Sequence, residues 1–172
     1  DNHKGPGQAT DAKVYKWDGA RHPDRVGKEI LDPTAYDVRG AWWDAGDFNK
    51  YTGNTVQCHN EMLVACEMLN GVATDNQLNI PESGNGVPDI LDETRYGTEY
   101  LIRIADKTGA AFGKAHELGT SPPEADKTPV QLTVQTSCST MSRCAALAYA
   151  AVVWKESKLD DAFAKKCQAE AE

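Results

Sequence analysis

The sequence predicts an all-α fold in which four helices follow an irregular, loop-rich segment over residues 1–53. Apolar residues recur at helical spacing in four stretches, about 54–70, 87–105, 138–156 and 159–172. Glycine, proline and Asp-Gly or Asp-Pro turns crowd the first fifty residues. The length of 172 residues corresponds to about one domain.

The predicted elements follow one another in a simple order. Before the helices, only short pieces such as Lys13–Tyr15 could form strands. The first helix has an apolar face that ends before Gly71, its predicted C-cap. The second begins near Pro88, because proline lacks a backbone N–H and the first turn of a helix makes no intrahelical bond with that group. Gly97 weakens the middle of this helix. The third is rich in alanine, which predicts close packing against a neighbouring helix. The fourth runs to Glu172 without a cap, so the chain is predicted to be a fragment.

Composition excludes several classes of partner. A net charge of −8 disfavours nucleic acid and anionic membranes, because binding to phosphate groups relies on a basic surface. No apolar run is long enough to span a bilayer. Residues 1–10 are polar and contain no signal-peptide core. The odd number of cysteines without a CxxC pair indicates mainly buried apolar residues, with one disulfide left open: Cys58, Cys66, Cys138, Cys144 and Cys167.

The densest candidate for chemistry is the segment Gly40–Tyr51. It holds Asp44 and Asp47, three residues apart, with a glycine between them that permits a tight bend. Glycosidic hydrolysis needs a carboxylate base beside water and a separate acid across the sugar. Aromatic rings suit the apolar C–H faces of sugars, and five of the 13 aromatics lie within 16 positions here: Tyr36, Trp42, Trp43, Phe48 and Tyr51. The alternative interpretation is an Asp-Gly turn flanked by core tryptophans.

The second candidate is the segment Ile80–Glu93. Its carboxylates Asp89, Asp92 and Glu93 fall in the first turns of a helix, where the helix dipole favours negative charge. An acidic helix start is therefore preferred over a metal site, because the ligand alternation of a calcium loop is missing. Two further sets lack the ligand spacing that zinc sites usually have: Cys58-His59 with Cys66, and Cys138 with Cys144.

Three segments together resemble glycoside hydrolase family 9, the cellulase family, in the family's order: Tyr36–Tyr51, Ile80–Glu93 and Ser139–Ala171. The DAGD sequence of the first segment and the PESGNGVPDILDE sequence of the second are specific in combination. The resemblance starts at about Lys13 and is poor only over 109–136. It implies the N-terminal portion of a catalytic domain whose fold is an (α/α)6 barrel.

The resemblance also implies roles for individual residues. Asp47 corresponds to the catalytic base that activates water, and Asp44 to its assistant, which helps to hold that water. Direct attack by water implies inversion at the anomeric carbon of a β-1,4-glucan such as cellulose. We expect Trp42, Trp43 and Tyr51 to bind the substrate.

The sequence departs from the family's pattern in two ways. Ala41 stands where a second glycine is common, which predicts a slightly altered turn. The general acid, a glutamate, and a histidine–arginine substrate-binding block lie in a later part of the family's domain. Neither Glu170 nor Glu172 has the sequence setting of that acid. We therefore expect the chain alone to be inactive and to require the remaining C-terminal part of the same enzyme as a partner.

Two other functions stay open at this point. One is an exo-acting glycosidase on glucosamine-containing or short oligosaccharides, and the other is a non-catalytic carbohydrate-binding helical module. The intact aspartate pair favours hydrolysis, since a binding module does not need it. No cofactor is predicted, and a structural calcium or zinc ion is left open for the complete enzyme. The resemblance implies a secreted or periplasmic location, with no nucleic-acid or membrane partner.

Overall fold

A computed structural model describes residues 8–15, 30–69, 71–116 and 129–172. The helices are α1 (Thr52–Met68), α2 (Asp89–Arg103), α3 (Ser137–Ser157) and α4 (Asp161–Ala171). The strands are β1 (Ala12–Tyr15), β2 (Ile30–Tyr36), β3 (Lys50–Tyr51), β4 (Lys114–His116) and β5 (Gln131–Leu132).

The predicted all-α class, a barrel portion built only of helices and loops, is wrong. The five strands form one mixed sheet in the order β2-β1-β5-β4-β3. β1 lies where Lys13–Tyr15 was predicted as a possible short strand. β2 and β3 lie elsewhere in residues 1–53, which were predicted to be irregular, and β4 and β5 lie between the predicted second and third helices. β3 and β5 have two residues each, too few to show the period-2 alternation by which strands are recognised.

Long-range pairing holds the sheet together. β1 pairs with β2 in antiparallel and with β5 in parallel orientation, so that Lys13 faces Gln131 across more than a hundred residues of sequence. β4 pairs with β5 and β3 in antiparallel orientation, and Tyr51 faces Lys114. This last pair matters for the site, because β3 leads directly into α1.

The apolar core has two parts. The first lies between the sheet and the helices and includes Tyr100 and Phe112, both fully buried. The second lies among the four helices and is centred on Trp154, whose ring packs edge-on against Phe163 at 5.0 Å. On α3, Ala146 and Ala150 share one face and are fully buried, which allows neighbouring helices to approach closely.

A buried arginine ties three helices together. The Arg143 guanidinium on α3 donates to the carbonyl oxygen of Leu101 at 2.6 Å, near the C-terminus of α2. It also donates to the backbone oxygen and the carboxylate of Glu170 on α4, at 2.9 and 2.7 Å. α3 and α4 begin at side-chain N-caps, Thr136 and Asp160, which accept from the third N–H beyond them. These contacts hold α2 against α3 and α4, next to the loop that follows β2.

Candidate active site

The loop between β2 and β3 carries the aspartate pair, and it starts with two left-handed residues. Gly40 has φ 95° and a Cβ there would lie 2.8 Å from the carbonyl oxygen of Tyr96 on α2, so only glycine fits. Ala41 has φ 56° and is fully buried. The turn therefore has a left-handed backbone at Ala41. A glycine at this position would adopt the same conformation without strain.

The two carboxylates are held by asparagine amides. Asp44 is exposed, its N–H donates to the carbonyl oxygen of Asn49 at 2.9 Å, and its Oδ1 accepts from Nδ2 of Asn54 on α1. Asp47 is half-buried, and its two oxygens accept from the N–H and Nδ2 of Asn49, at 3.0 and 2.6 Å. Amide donors fix the orientation of a carboxylate without neutralising its charge.

A cleft of about 210 Å³ opens beside this loop. Four of the five residues predicted for the site line it together: Trp42, Trp43, Asp44 and Tyr51. The first turns of α1 supply the opposite wall: Asn54, Thr55, Gln57 and Cys58. Asp47 does not contribute to the lining, since its carboxylate is turned to Asn49. The cleft thus combines one carboxylate with three aromatic side chains.

Each aromatic side chain of the cleft has its own support. The indole N–H of Trp42 donates to Glu93 Oε1 on α2 at 2.6 Å. The Trp43 ring packs against Phe48, with centroids 4.7 Å apart. The Tyr51 hydroxyl accepts from Lys114 Nζ at 2.9 Å, and that ammonium lies 4.3 Å from the ring centroid.

The second segment acts as a scaffold around the start of α2. Burial alone would raise the pKa of Asp89, but hydrogen bonds from the Leu78 N–H, the Ser83 hydroxyl and the Asn76 N–H outweigh it and hold that pKa below its ordinary value. These donors lie at 2.7, 2.8 and 2.9 Å from the carboxylate. Asp75 accepts from two glycine N–H groups of the same loop, which closes it further.

The described residues hold no group of three His, Cys, Asp or Glu side chains suited to a metal ion. Cys58 is exposed, whereas His59 is fully buried with both ring nitrogens in hydrogen bonds, to Asn60 at 3.1 Å and Thr98 at 2.8 Å. Burial lowers the pKa of His59 to about 4.

All five cysteines are free thiols. Their interpretation as mainly buried residues is wrong except for Cys167: Cys66 and Cys144 are half-buried, and Cys58 and Cys138 are exposed. These four half-buried or exposed cysteines lie on α1 and α3. The prediction treated each cysteine as an apolar residue, and helical periodicity alone does not show whether such a small, polarisable side chain is buried.

Several residues that support the site were not recognised from the sequence. Asn49 follows Asp47 by two positions, which is the spacing of a local Asx turn and could have been noticed. Asn54 lies ten positions after Asp44, and no sequence pattern marks it. Gly97 was interpreted only as a weak point of the helix.

No helix in the described parts of the chain is both long and apolar enough to cross a membrane.

Comparisons with known proteins show which family the chain resembles in sequence and fold. Residues 2–172 match the sequence profile of glycosyl hydrolase family 9. A cellulose 1,4-β-cellobiosidase of Acetivibrio thermocellus is 33% identical over 155 residues, which cover 79% of this chain and 17% of that protein. A xyloglucan-specific endo-β-1,4-glucanase of Bacteroides ovatus is 31% identical over 140 residues, which cover 81% of this chain and 23% of that protein.

A solved structure extends the likeness to the fold. The crystal structure of a metagenome-derived glycoside hydrolase family 9 endoglucanase matches with a TM-score of 0.77 at 36% identity, over 94% of this chain and 28% of that one. The chain thus spans less than a third of the length of each of these relatives. With the family profile matched over nearly all of its residues, this chain belongs to glycosyl hydrolase family 9.

Proposed function

We propose that this chain supplies the base side of an inverting β-glycosidase that hydrolyses β-1,4-glucan of the cellulose type. Asp47 is the catalytic base and Asp44 its assistant, and the general acid is a glutamate outside this chain. One observation carries the proposal: Asp44 lies beside Trp42, Trp43 and Tyr51 in a single cleft, on the loop that also holds Asp47.

Inverting hydrolysis needs two carboxyl groups about 6.5–9.5 Å apart, with water between the base and the sugar. The base takes a proton as the water oxygen attacks the anomeric carbon, and the acid protonates the leaving glycosidic oxygen. Among the described residues, Asn54 binds Oδ1 of Asp44, which leaves Oδ2 to hold the water. Each Asp47 oxygen accepts one bond from Asn49, and a carboxylate has about four acceptor positions, so it can still receive the proton.

The substrate class follows from the aromatic lining and from the relatives. Three aromatic side chains on one cleft offer flat apolar surfaces to sugar rings. The two relatives described above are a cellobiosidase and an endo-β-1,4-glucanase by name, and both names specify a β-1,4 bond. The reaction needs no cofactor, because two carboxyl groups supply every proton transfer. We place the enzyme outside the cell or in the periplasm, since a polymeric glucan does not cross a membrane.

The test is hydrolysis by the enzyme that carries this chain with its C-terminal continuation. Carboxymethyl cellulose, cellohexaose and glucosamine oligosaccharides serve as substrates, and proton NMR follows the anomer released first. We expect the β-glucans to be cut and the α-anomer to appear first. An initial β-anomer would contradict inversion. Cleavage of only the glucosamine oligosaccharides would favour the exo-acting alternative, and binding without cleavage would favour a non-catalytic module.

A further inference from the structure

We propose that Glu93 on α2 is a positioning residue for the cleft, because it fixes the orientation of the Trp42 indole through the indole N–H. This inference rests on the proposed function, since it assigns a role within the same site. It also gives a physical reason why the two sequence segments occur together: the second segment holds a side chain of the first in place.

The hydrogen bond itself is strong and specific. Trp42 Nε1 donates to Glu93 Oε1 at 2.6 Å, across 51 residues of sequence. Bonds to an ionised acceptor are shorter and roughly twice as strong as those between neutral groups. An indole has a single donor, so this bond determines which edge of the ring faces α2.

A glycine on the next turn of α2 provides the seat for the ring. A Cβ on Gly97 would lie 2.5 Å from Trp42 Cη2, 3.0 Å from Cζ3 and 3.4 Å from Cζ2, so the benzene edge of the indole rests on the bare backbone. Tyr96 packs against the same indole at 6.3 Å between ring centroids, inclined by 64°. Positions 93, 96 and 97 share one helical face, and they contact the ring at its N–H, its flank and its far edge.

The other tryptophan of the cleft has no comparable anchor. The buried indole N–H of Trp43 has no hydrogen-bond partner among the described residues, and its ring packs against Phe48 of the same loop. Trp42 is instead tied to α2, which Arg143 fastens to the rest of the helices. Of the two tryptophans in the cleft, Trp42 is therefore the one whose orientation is determined by a helix of the scaffold, and it lies two residues before Asp44.

The first arm of the test measures the bond without reference to activity. The enzyme with its continuation is labelled with [15N]tryptophan, and Trp42→Phe identifies the Trp42 indole resonance by its disappearance. Glu93→Ala should move that resonance upfield, since the carboxylate no longer accepts from it. Glu99→Ala is the matched control, because Glu99 lies on the same helix and pairs with Arg103 at 3.3 Å. It should leave the resonance in place, and an unmoved resonance in Glu93→Ala would overturn the proposal.

The second arm is kinetic. Glu93→Ala removes a hydrogen bond to a charged group and should raise KM for cello-oligosaccharides about tenfold. The value of kcat should change much less, because the Trp42 ring is proposed to contact the substrate in the ground state and in the transition state alike. Glu93→Gln keeps an acceptor oxygen and should restore KM to within about threefold of the wild type. An unchanged KM in Glu93→Ala would overturn the positioning role.

Two further outcomes are distinguishable. If the wild-type enzyme does not hydrolyse any glucan, the proposed function fails, while the indole resonance still decides whether Glu93 positions Trp42. If Glu93→Ala does not fold, Glu93→Leu, which removes the acceptor oxygens but fills most of the side-chain volume, is compared in the wild-type and Trp42→Phe backgrounds. Its effect on KM should vanish when the indole N–H is absent, and an equal effect in both backgrounds would overturn the proposal.

Discussion

Gly97→Ala should destabilise the protein, although alanine is the better helix former. Gly97 lies inside α2, where the substitution normally gains about 0.8–1.0 kcal/mol of helix propensity. Here the added Cβ would lie 2.5 Å from Trp42 Cη2. Carbon atoms in favourable contact are about 3.5–4.0 Å apart, so the ring must move by about 1 Å or the helix must shift.

Two costs oppose the gain in propensity. Overpacking a filled site costs about 1–3 kcal/mol. A displaced Trp42 also weakens its 2.6 Å bond to Glu93, and a hydrogen bond to a charged group contributes at most about 1.5–3 kcal/mol. The net expectation is a loss of about 1–5 kcal/mol in the free energy of unfolding.

Urea unfolding followed by circular dichroism measures this loss, and Gly53→Ala is its matched control. Gly53 is also helical, on α1, and a Cβ there would meet nothing within 4 Å. Gly53→Ala should be neutral or stabilising. If Gly97→Ala were as stable as Gly53→Ala, the close contact with Trp42 would not exist as described.

Three further predictions concern the turn, the cleft and a buried histidine. Gly40→Ala should lower the free energy of unfolding by about 2–5 kcal/mol, because the added Cβ would lie 2.8 Å from a carbonyl oxygen and the residue has φ 95°. Ala41→Gly should change it by less than about 1 kcal/mol, because the relief of left-handed strain offsets the lost methyl group. Equal losses in urea unfolding would contradict this pair of predictions. Saturating cellobiose should slow the alkylation of Cys58, which lines the cleft, but not that of Cys138, which is exposed elsewhere. Peptide mass spectrometry measures both rates. Equal rates for Cys58 with and without the sugar would show that the cleft does not bind cellobiose. Burial lowers the pKa of His59 from 6.5 to about 4. As the pH falls, the unfolded chain therefore takes up a proton before the folded protein does, and the free energy of unfolding should fall by about 3 kcal/mol between pH 6.5 and pH 4. If His59→Gln showed the same dependence of stability on pH, His59 would not be its cause.

Helical periodicity carried most of the fold that could be predicted. α1 spans Thr52–Met68 where the pattern predicted 54–70, and α3 spans Ser137–Ser157 where it predicted 138–156. The sheet could not be predicted in the same way. Strands of two residues have no measurable period, and the parallel pairing of Lys13 with Gln131 depends on the folded helices between them.

The candidate site was only partly readable for a related reason. Asp44, Trp42 and their neighbours are adjacent in sequence, so their clustering in one cleft follows from a single turn. The groups that orient them come from other elements. Glu93 looked like an ordinary acidic residue at a helix start, and its bond to Trp42 depends on how α2 packs behind the loop. Such contacts are set by tertiary packing and leave no local pattern.

The most direct test of the proposed chemistry is the turnover of the complete enzyme after loss of the base. Asp47→Ala should lower kcat on cello-oligosaccharides by about 10²–10⁴-fold, the usual contribution of a positioned base. Asp44→Ala should also reduce kcat, while Asp161→Ala, which removes an exposed carboxylate on α4, should not. Added azide should restore part of the turnover of Asp47→Ala, since azide attacks without giving up a proton. Near-normal turnover of Asp47→Ala without azide would contradict the assignment of the base.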